Sequence, residues 1–377
     1  MVDLEGMSNR SILPRHRRVN DPPRMRLTQR DVQMVLAAYE YRVLRRDQIE
    51  RLFFPSKNTA NDRLKRLYQH RFLARRWVPV EYGQGTGQAL YLLDERGANL
   101  VAEQLGIDRA KVRWRAAHNR VGSPFLEHTL MVNDVRIAFK LATEQQGYEI
   151  DKWVTEDELK AVKDYVRIEM QGGARRTMAV IPDGYFILNL GDRRAHFFLE
   201  VDRATLANRR WGWRVQAYLV YARSGKYCER FGTRSLRVLT VTTGSKRLSN
   251  LKRTTERAGG GNMFWFAVLA ETQPDKVLPE PIWQVASQQG FRALVERDGS
   301  DRDPAAQSER VSAERATRSA AQNGHLTLSA VSRQTVLRTW PLSSGAIKRC
   351  QKTPPTGSLC RRHQDASLFP LPGPLIL

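Results

Sequence analysis

Three acidic side chains sit in or beside apolar, strand-like runs. Asp183 lies in Ile181-Pro182-Asp183-Gly184, and Glu200 and Asp202 lie in Phe197-Phe198-Leu199-Glu200-Val201-Asp202. The spacing of Asp183 and Glu200 suits two adjacent strands joined by a turn at residues 189–194. Glu200 and Asp202 occupy alternate positions of one strand and therefore share a face. Carboxylates converging in this way can hold Mg²⁺, a hard cation that takes oxygen ligands in octahedral geometry. Such an ion activates water and stabilises charge developing on a phosphodiester. The expected metal set is Asp183, Glu200 and Asp202. The expected catalytic set adds Glu127, with His128 beside it as an accessory base. The competing expectation is structural and needs no cofactor: Asp183 caps a turn with Gly184, and Glu200 and Asp202 pair with nearby arginines.

These residues must be placed by a mixed α/β domain. Ser123-Pro124 opens a long amphipathic helix ending near Gly147, proline being well suited to a first turn. Strands are expected at 148–154, 165–170, 177–187 and 195–201, then a helix at 205–222. A strand at 236–242, a helix at 246–257 and a strand at 263–269 complete the domain. A helix followed by strands carrying Pro182-Asp183 and then Glu200 resembles the PD-(D/E)xK nuclease core. That resemblance implies a restriction-endonuclease-like fold and metal-dependent DNA cleavage assisted by a lysine. Asp202 stands where the lysine would be. Arg203, Arg209 or Arg210 could supply positive charge instead, but arginine is a poor proton acceptor. Trp211, Trp213, Tyr218 and Tyr221 share one helix. They could stack on bases, although such a density of rings more often builds core. Gly259-Gly260-Gly261 is not followed by the Gly-Lys-Ser/Thr of a phosphate-binding loop. Cys228 has no histidine partner nearby in sequence.

The N-terminal third has a different pattern. Thr28 and Asp31 form a box-like helix start, followed by apolar Val32, Val35, Leu36 and Tyr39. A second helix is expected at 46–53, ended by Pro55, and a third at 57–70 after Ser56. The period then becomes two-fold. Residues 72–80 and 89–93 form a hairpin around a tip holding Gly83, Gly85 and Gly87. A further helix runs from Asp94 to about Leu105 and stops at Gly106. Three helices and a glycine-tipped hairpin is the order of a winged helix-turn-helix. With Ala60, Leu64 and Leu67 turned inward, the third helix presents Asn58, Asp62, Lys65 and Gln69, flanked by Asn61 and Arg66. Amides can pair with adenine, and Arg or Lys with guanine, in the major groove. The bland alternative is a merely solvated face.

The chain carries 62 Lys and Arg against 39 Asp and Glu, a net charge of +23, which points to DNA as partner. No apolar run approaches the ~18–20 residues of a membrane span. Residues 1–26 do not read as a secretory signal. Cys228, Cys350 and Cys360 make neither a disulfide framework nor a zinc spacing. A cytoplasmic protein without membrane contact is expected, and a homodimer is compatible with the sequence. The expected organisation is a disordered basic arm (1–26), a winged helix (27–105), a basic linker (106–122), a nuclease-like domain (123–285) and a low-complexity tail (286–377) without a fold of its own.

Several motifs in this order resemble the replication-relaxation family of plasmids and integrated elements. They include Leu27-Thr28-Gln29-Arg30-Asp31, Gln48-Ile49-Glu50-Arg51-Leu52-Phe53-Phe54, and Arg63-Leu64-Lys65-Arg66-Leu67-Tyr68. Tyr91-Leu92-Leu93-Asp94-Glu95-Arg96-Gly97-Ala98, Glu127-His128 and Val132-Asn133-Asp134-Val135 follow. Pro182-Asp183-Gly184 and Leu199-Glu200-Val201-Asp202-Arg203-Ala204-Thr205 are the most specific. The resemblance covers about residues 27–285. It implies a DNA-binding role in replication, relaxation or mobilisation of such an element. The alternatives are a Mg²⁺-dependent endonuclease and a winged-helix transcriptional regulator.

Overall fold

Helix α1 (Gln29–Glu40) starts at a capping box: the Asp31 backbone N–H donates to Thr28 Oγ1, and the Thr28 N–H donates to Asp31 Oδ2 at 2.7 Å. The computed structural model describes residues 14, 17–77, 88–120, 122–170, 172–191 and 193–295, all within one unit spanning residues 1–324. A short strand β1 (Val43–Arg45) follows, then α2 (Arg46–Phe53) and α3 (Lys57–Gln69). Strands β2 (Leu73–Trp77) and β3 (Ala89–Leu93) pair antiparallel from Leu73↔Leu93 to Trp77↔Ala89. The glycine-rich tip expected between them lies outside the described residues. Helix α4 (Glu95–Leu105) ends at Gly106, whose φ of 60° is the left-handed cap that glycine adopts without strain.

Strand β1 was not expected. Three residues are too few to show a period, and β1 exists because β3 accepts it: the sheet order is β1-β3-β2. Met34, Val35, Ala60, Leu64, Leu67, Leu73 and Tyr91 form the core between helices and sheet. Asp31 is fully buried and also pairs with Arg63 of α3. Burial would raise its pKa, but the bonds from Arg63 and Thr28 outweigh burial and hold it lowered.

The basic arm is corrected over its last part. The Arg18 guanidinium donates to the Tyr68 and Leu73 carbonyls at 2.8 and 3.0 Å and pairs with Asp94. The Val19 N–H donates to Gln69 Oε1 at 2.9 Å. Residues 17–19 are therefore docked on this lobe. The linker is docked too: two 3-10 turns, Arg109–Lys111 and Ala116–Arg120, flank buried Val112. Asn119 Nδ2 donates to the Leu93 carbonyl at 2.9 Å.

Helix α5 (Ser123–Gln146) leads into β4 (Glu149–Thr155), α6 (Glu156–Ala161), β5 (Asp164–Glu169), β6 (Arg175–Val180), β7 (Gly184–Asn189) and β8 (Arg194–Asp202). Then come α7 (Asn208–Arg223), α8 (Lys226–Phe231), β9 (Arg237–Thr242), α9 (Ser245–Arg257), β10 (Phe264–Val268) and β11 (Gln284–Val285). Among the described residues the main sheet has the order β11-β10-β9-β8-β7-β4, with β8, β9 and β10 parallel and the other pairs antiparallel. The chain is thus a mixed α/β protein. The single strand expected at 177–187 is two strands. β6 pairs with β5 in a separate hairpin, and Ile181-Pro182-Asp183 carries the chain across to β7 in the main sheet.

Alternate residues of β8 face opposite layers. Phe197, Leu199 and Val201 pack with Val135 and Phe139 of α5. Phe198 packs with Trp211, Val215 and Tyr218 of α7, in a cluster that includes Leu248 of α9. The fold continues past 285: the Leu294 and Val295 N–H groups donate to the Leu278 carbonyl at 3.1 and 3.0 Å, and both side chains are buried. Residues 286–295, expected in the tail, therefore belong to the domain, because they bring apolar side chains that this layer covers.

Helix α5 also belongs to the first lobe. Leu126 and Leu130 pack on Val43, Leu90 and Leu92. Asn133 Nδ2 donates to the Tyr41 and Val43 carbonyls at 3.1 and 2.7 Å, along the open edge of β1. Asp134 accepts from Arg45 at 2.8 and 3.0 Å and from Gln48 Nε2 at 2.8 Å.

One close approach gives a test of this packing. A Cβ on Gly97 would lie 2.1 Å from the Phe72 carbonyl oxygen, a backbone atom that cannot swing aside. Gly97→Ala is expected to cost about 1–3 kcal/mol or more, the usual range for overpacking. Chemical denaturation checks this, and an unchanged midpoint and slope would refute the close packing of α4 on the strand entry.

Candidate functional site

On α3 the apolar positions Ala60, Leu64 and Leu67 are buried, as the spacing requires. The opposite side leaves Asn58, Asn61, Asp62 and Arg66 exposed and Lys65 half-buried. Asp62 accepts from Arg66 Nε at 3.1 Å and has Lys65 Nζ 3.9 Å away. Gln69 does not join this face. It is 3% exposed, and its amide donates to the Pro14 and Arg17 carbonyls at 2.9 Å. The expected reading role for Gln69 is corrected: the docked arm consumes its hydrogen-bonding groups.

The acidic residues gather at the carboxyl end of β8, beside the N-terminal turns of α5. Asp183 is positioned by backbone: its N–H donates to the Leu199 carbonyl at 2.9 Å, and its Oδ2 accepts from the Val201 N–H at 2.7 Å. Its Oδ1 lies 3.1 Å from His128 Nε2. Glu200 is 2% exposed and receives both the Arg214 guanidinium and the Tyr218 hydroxyl. Asp202 accepts from Arg247 Nε and Nη2 at 2.7 and 2.9 Å, and from Thr242 Oγ1 and the Ala204 N–H at 3.0 Å each. Glu127 forms an ion pair with Arg203, which also donates to the Pro124 carbonyl at 2.9 Å.

Each acid thus has its own base. Asp183 reaches toward α5, whereas Glu200 and Asp202 turn to α7 and α9. The triad expected to converge on Mg²⁺ is corrected: among the described residues no group of three or more His, Cys, Asp or Glu side chains could hold a metal ion. A divalent ion would have to displace a bidentate arginine from Asp202 and a second arginine from Glu200.

The sequence named Arg203, Arg209 and Arg210 as compensating charges, whereas Arg214 and Arg247 take the carboxylates. The i, i+4 spacing of Arg214 and Tyr218 was the available signal for one of these contacts. Arg247 is remote in sequence and carried no such signal. Trp211, Tyr218 and Tyr221 are buried core, leaving Trp213 partly open.

Charge in this cluster is set by burial and by neighbouring charges. Complete burial pushes Glu200 from the ordinary value of 4.5 to about 7, against the pull of Arg214 and Tyr218. Arg214 is raised by the Glu200 charge. Burial works against the His128 cation, but the hydrogen bond and charge of Asp183 outweigh it, so its pKa is raised. The arrangement can hold protons on His128 and Glu200.

A family model for replication-relaxation proteins matches residues 37–236. The chain belongs to the replication-relaxation family. The match takes in the α3 face and all three carboxylates of this replication-relaxation protein, and it stops short of Arg247, the partner of Asp202. No curated protein matches the chain. The solved structure of the restriction endonuclease FokI is similar over 64% of this chain and 42% of that chain, at 10% identity and a TM-score of 0.24. The chain spans less than half of that enzyme's length, and so loose a superposition carries nothing about activity.

The raised groups set a pH dependence with a defined sign. The folded protein holds the Glu200 proton up to about 7, whereas the unfolded chain releases it near 4.5. Stability from this group is present at low pH and declines as pH rises between those values. His128 acts in the same direction, its contribution being lost as pH rises through its raised pKa. Glu200→Gln mimics the protonated acid and is expected to flatten the decline. Denaturation midpoints measured between about pH 4.5 and 7 check this, and identical slopes in variant and wild type would refute it.

Proposed function

We propose that this chain is a cytoplasmic DNA-binding protein acting in replication, relaxation or mobilisation of a plasmid or integrated element. One observation carries the reading: α3, the second helix of the α2–α3 pair, turns Asn58, Asn61 and Arg66 to solvent with Lys65 half-buried beside them. In a winged helix-turn-helix this helix enters the major groove, and amide and cationic side chains there can pair with base edges. In this reading the antiparallel strands β2 and β3 would belong to the wing. The +23 charge of the chain supports a polyanionic partner, and the family's name supports a role in replication or relaxation.

The metal-dependent endonuclease reading is weaker, because the carboxylates it needs are bound to arginines and a histidine. In our reading, the Asp183, Glu200 and Asp202 network holds the second lobe together around β8.

Two experiments test this. Asn61→Ala and Lys65→Ala are each expected to weaken binding to a selected duplex by about 1–3 kcal/mol, the range for a base contact, and to weaken non-specific binding less. Equal binding by wild type and both variants would remove α3 from the interface. In the second, supercoiled plasmid is incubated with Mg²⁺ or EDTA, and no Mg²⁺-dependent nicking by the protein is expected. Nicking that needs Mg²⁺ and vanishes in both Asp183→Ala and Glu200→Ala would reinstate the endonuclease.

A further inference from the structure

The second lobe has a basic cleft beside the carboxylate network. It measures about 690 Å³ and lies between the β5–β6 hairpin and the start of α7. Arg176, Arg209, Arg210, Trp213 and Arg214 line it. Arg176, Arg209 and Arg210 are exposed, and among the described residues none of the three has a carboxylate partner. The guanidinium carbons of Arg176 and Arg209 each lie 4.7 Å from the centre of the Trp213 ring. Stacking of this kind holds an arginine in place without neutralising it.

These three differ from the arginines that acids neutralise. Arg18, Arg45, Arg63, Arg203, Arg214, Arg230 and Arg247 are all paired with acids. Three uncompensated arginines drawn to one cleft repel one another, an arrangement that an anion relieves. The backbone adds to the field. Ala207, the residue before α7, makes no side-chain cap, and the first turn carries no acid. The Arg210 and Trp211 N–H groups are taken by the Ala207 carbonyl, so it is the dipole of this helix start that favours negative charge at the same place.

We propose that this cleft binds the phosphate backbone of DNA, giving the second lobe its own DNA contact beside α3. The inference rests on the DNA-binding reading above and adds a second contact site to it. Guanidinium groups held on an aromatic ring present donors suited to phosphate oxygens, and three of them in a cleft of about 690 Å³ offer more charge than one small anion needs. Arg214 joins the cleft to the carboxylate network, because it lines the cleft and donates to Glu200. Phosphate in the cleft would compete with Glu200 for that guanidinium.

The test uses the full chain and a labelled duplex without the selected site, titrated by anisotropy over a range of salt. The variant combines Arg176→Ala, Arg209→Ala and Arg210→Ala, all exposed positions, and circular dichroism checks its fold. The expected result is at least about tenfold weaker binding at low salt. The slope of log affinity against log salt should fall by roughly 2 to 3, at about 0.9 for each phosphate no longer neutralised. Asn61→Ala with Lys65→Ala serves as the comparison and should leave that difference in place. If the α3 reading fails, only the comparison pair changes its meaning. If the cleft fails, the triple variant binds the duplex as wild type does. Inorganic pyrophosphate is the competing probe. Displacement of the duplex by micromolar pyrophosphate, abolished in the triple variant, would assign the cleft to a small free phosphate and overturn the backbone proposal. A charge reversal, Arg209→Glu, gives a second reading and should weaken duplex binding further than Arg209→Ala.

Discussion

Helix α5 is the member on which both lobes depend. Its N-terminal half packs Leu126 and Leu130 on β1 and β3, and its later turns pack Val135 and Phe139 on the main sheet. Apolar contact alone would let such a helix slide or rotate. Asn133 opposes this by donating to the Val43 carbonyl on β1 and to the Tyr41 carbonyl just before it, which also accepts from the Val43 N–H. Asp134 completes the joint through Arg45 and Gln48. A three-residue strand is too short to hold its place by ladder bonds alone. Here β3 on one side and Asn133 on the other hold it.

The same helix places the candidate site. Its first turns bring His128 to Asp183, and Asp183 is itself held by backbone bonds to β8. The carboxyl end of β8 therefore receives side chains from both layers: from α5 through His128, and from α7 and α9 through Arg214 and Arg247. Ionised carboxylates cannot stay buried alone, because the desolvation penalty exceeds what any single weak contact contributes. Each one here has drawn a base from whichever layer its strand position faces. For Glu200 complete burial still shows, in a pKa of about 7. The outcome is a coupled network: Glu200 and Asp202, on one face of β8, pair with Arg214 of α7 and Arg247 of α9, and the Asp183 charge helps to raise Glu200.

Charge across the protein follows a division of labour. In the first lobe, Arg18 and Arg63 tie the arm and α3 to the core through Asp94 and Asp31. The exposed groups of α3 and the arginines around Trp213 remain outside such pairs, apart from the contacts of Asp62 with Arg66 and Lys65. The net charge of +23 therefore acts outward where side chains are not already paired with internal acids. Nucleic-acid affinity built on phosphate contacts depends on that unpaired fraction.

Local patterns in the sequence determined much of this. Thr28 with Asp31, Pro55, Asp94 and Gly106 mark helix ends by short-range bonds and backbone limits, and the helices appear there. The burial of Ala60, Leu64 and Leu67 follows from their spacing, and the alternation 197–201 follows from the pleat. Both are properties of a few consecutive residues. What the sequence alone did not determine was how charge would be partnered. Gln69 looked like an outward amide until the arm bound it, and Asp202 looked like a metal ligand until Arg247 reached it. Only the tertiary structure decided these, because a buried charge or amide takes its partner by distance in space, and those partners lie tens of residues away on elements whose approach no local pattern encodes.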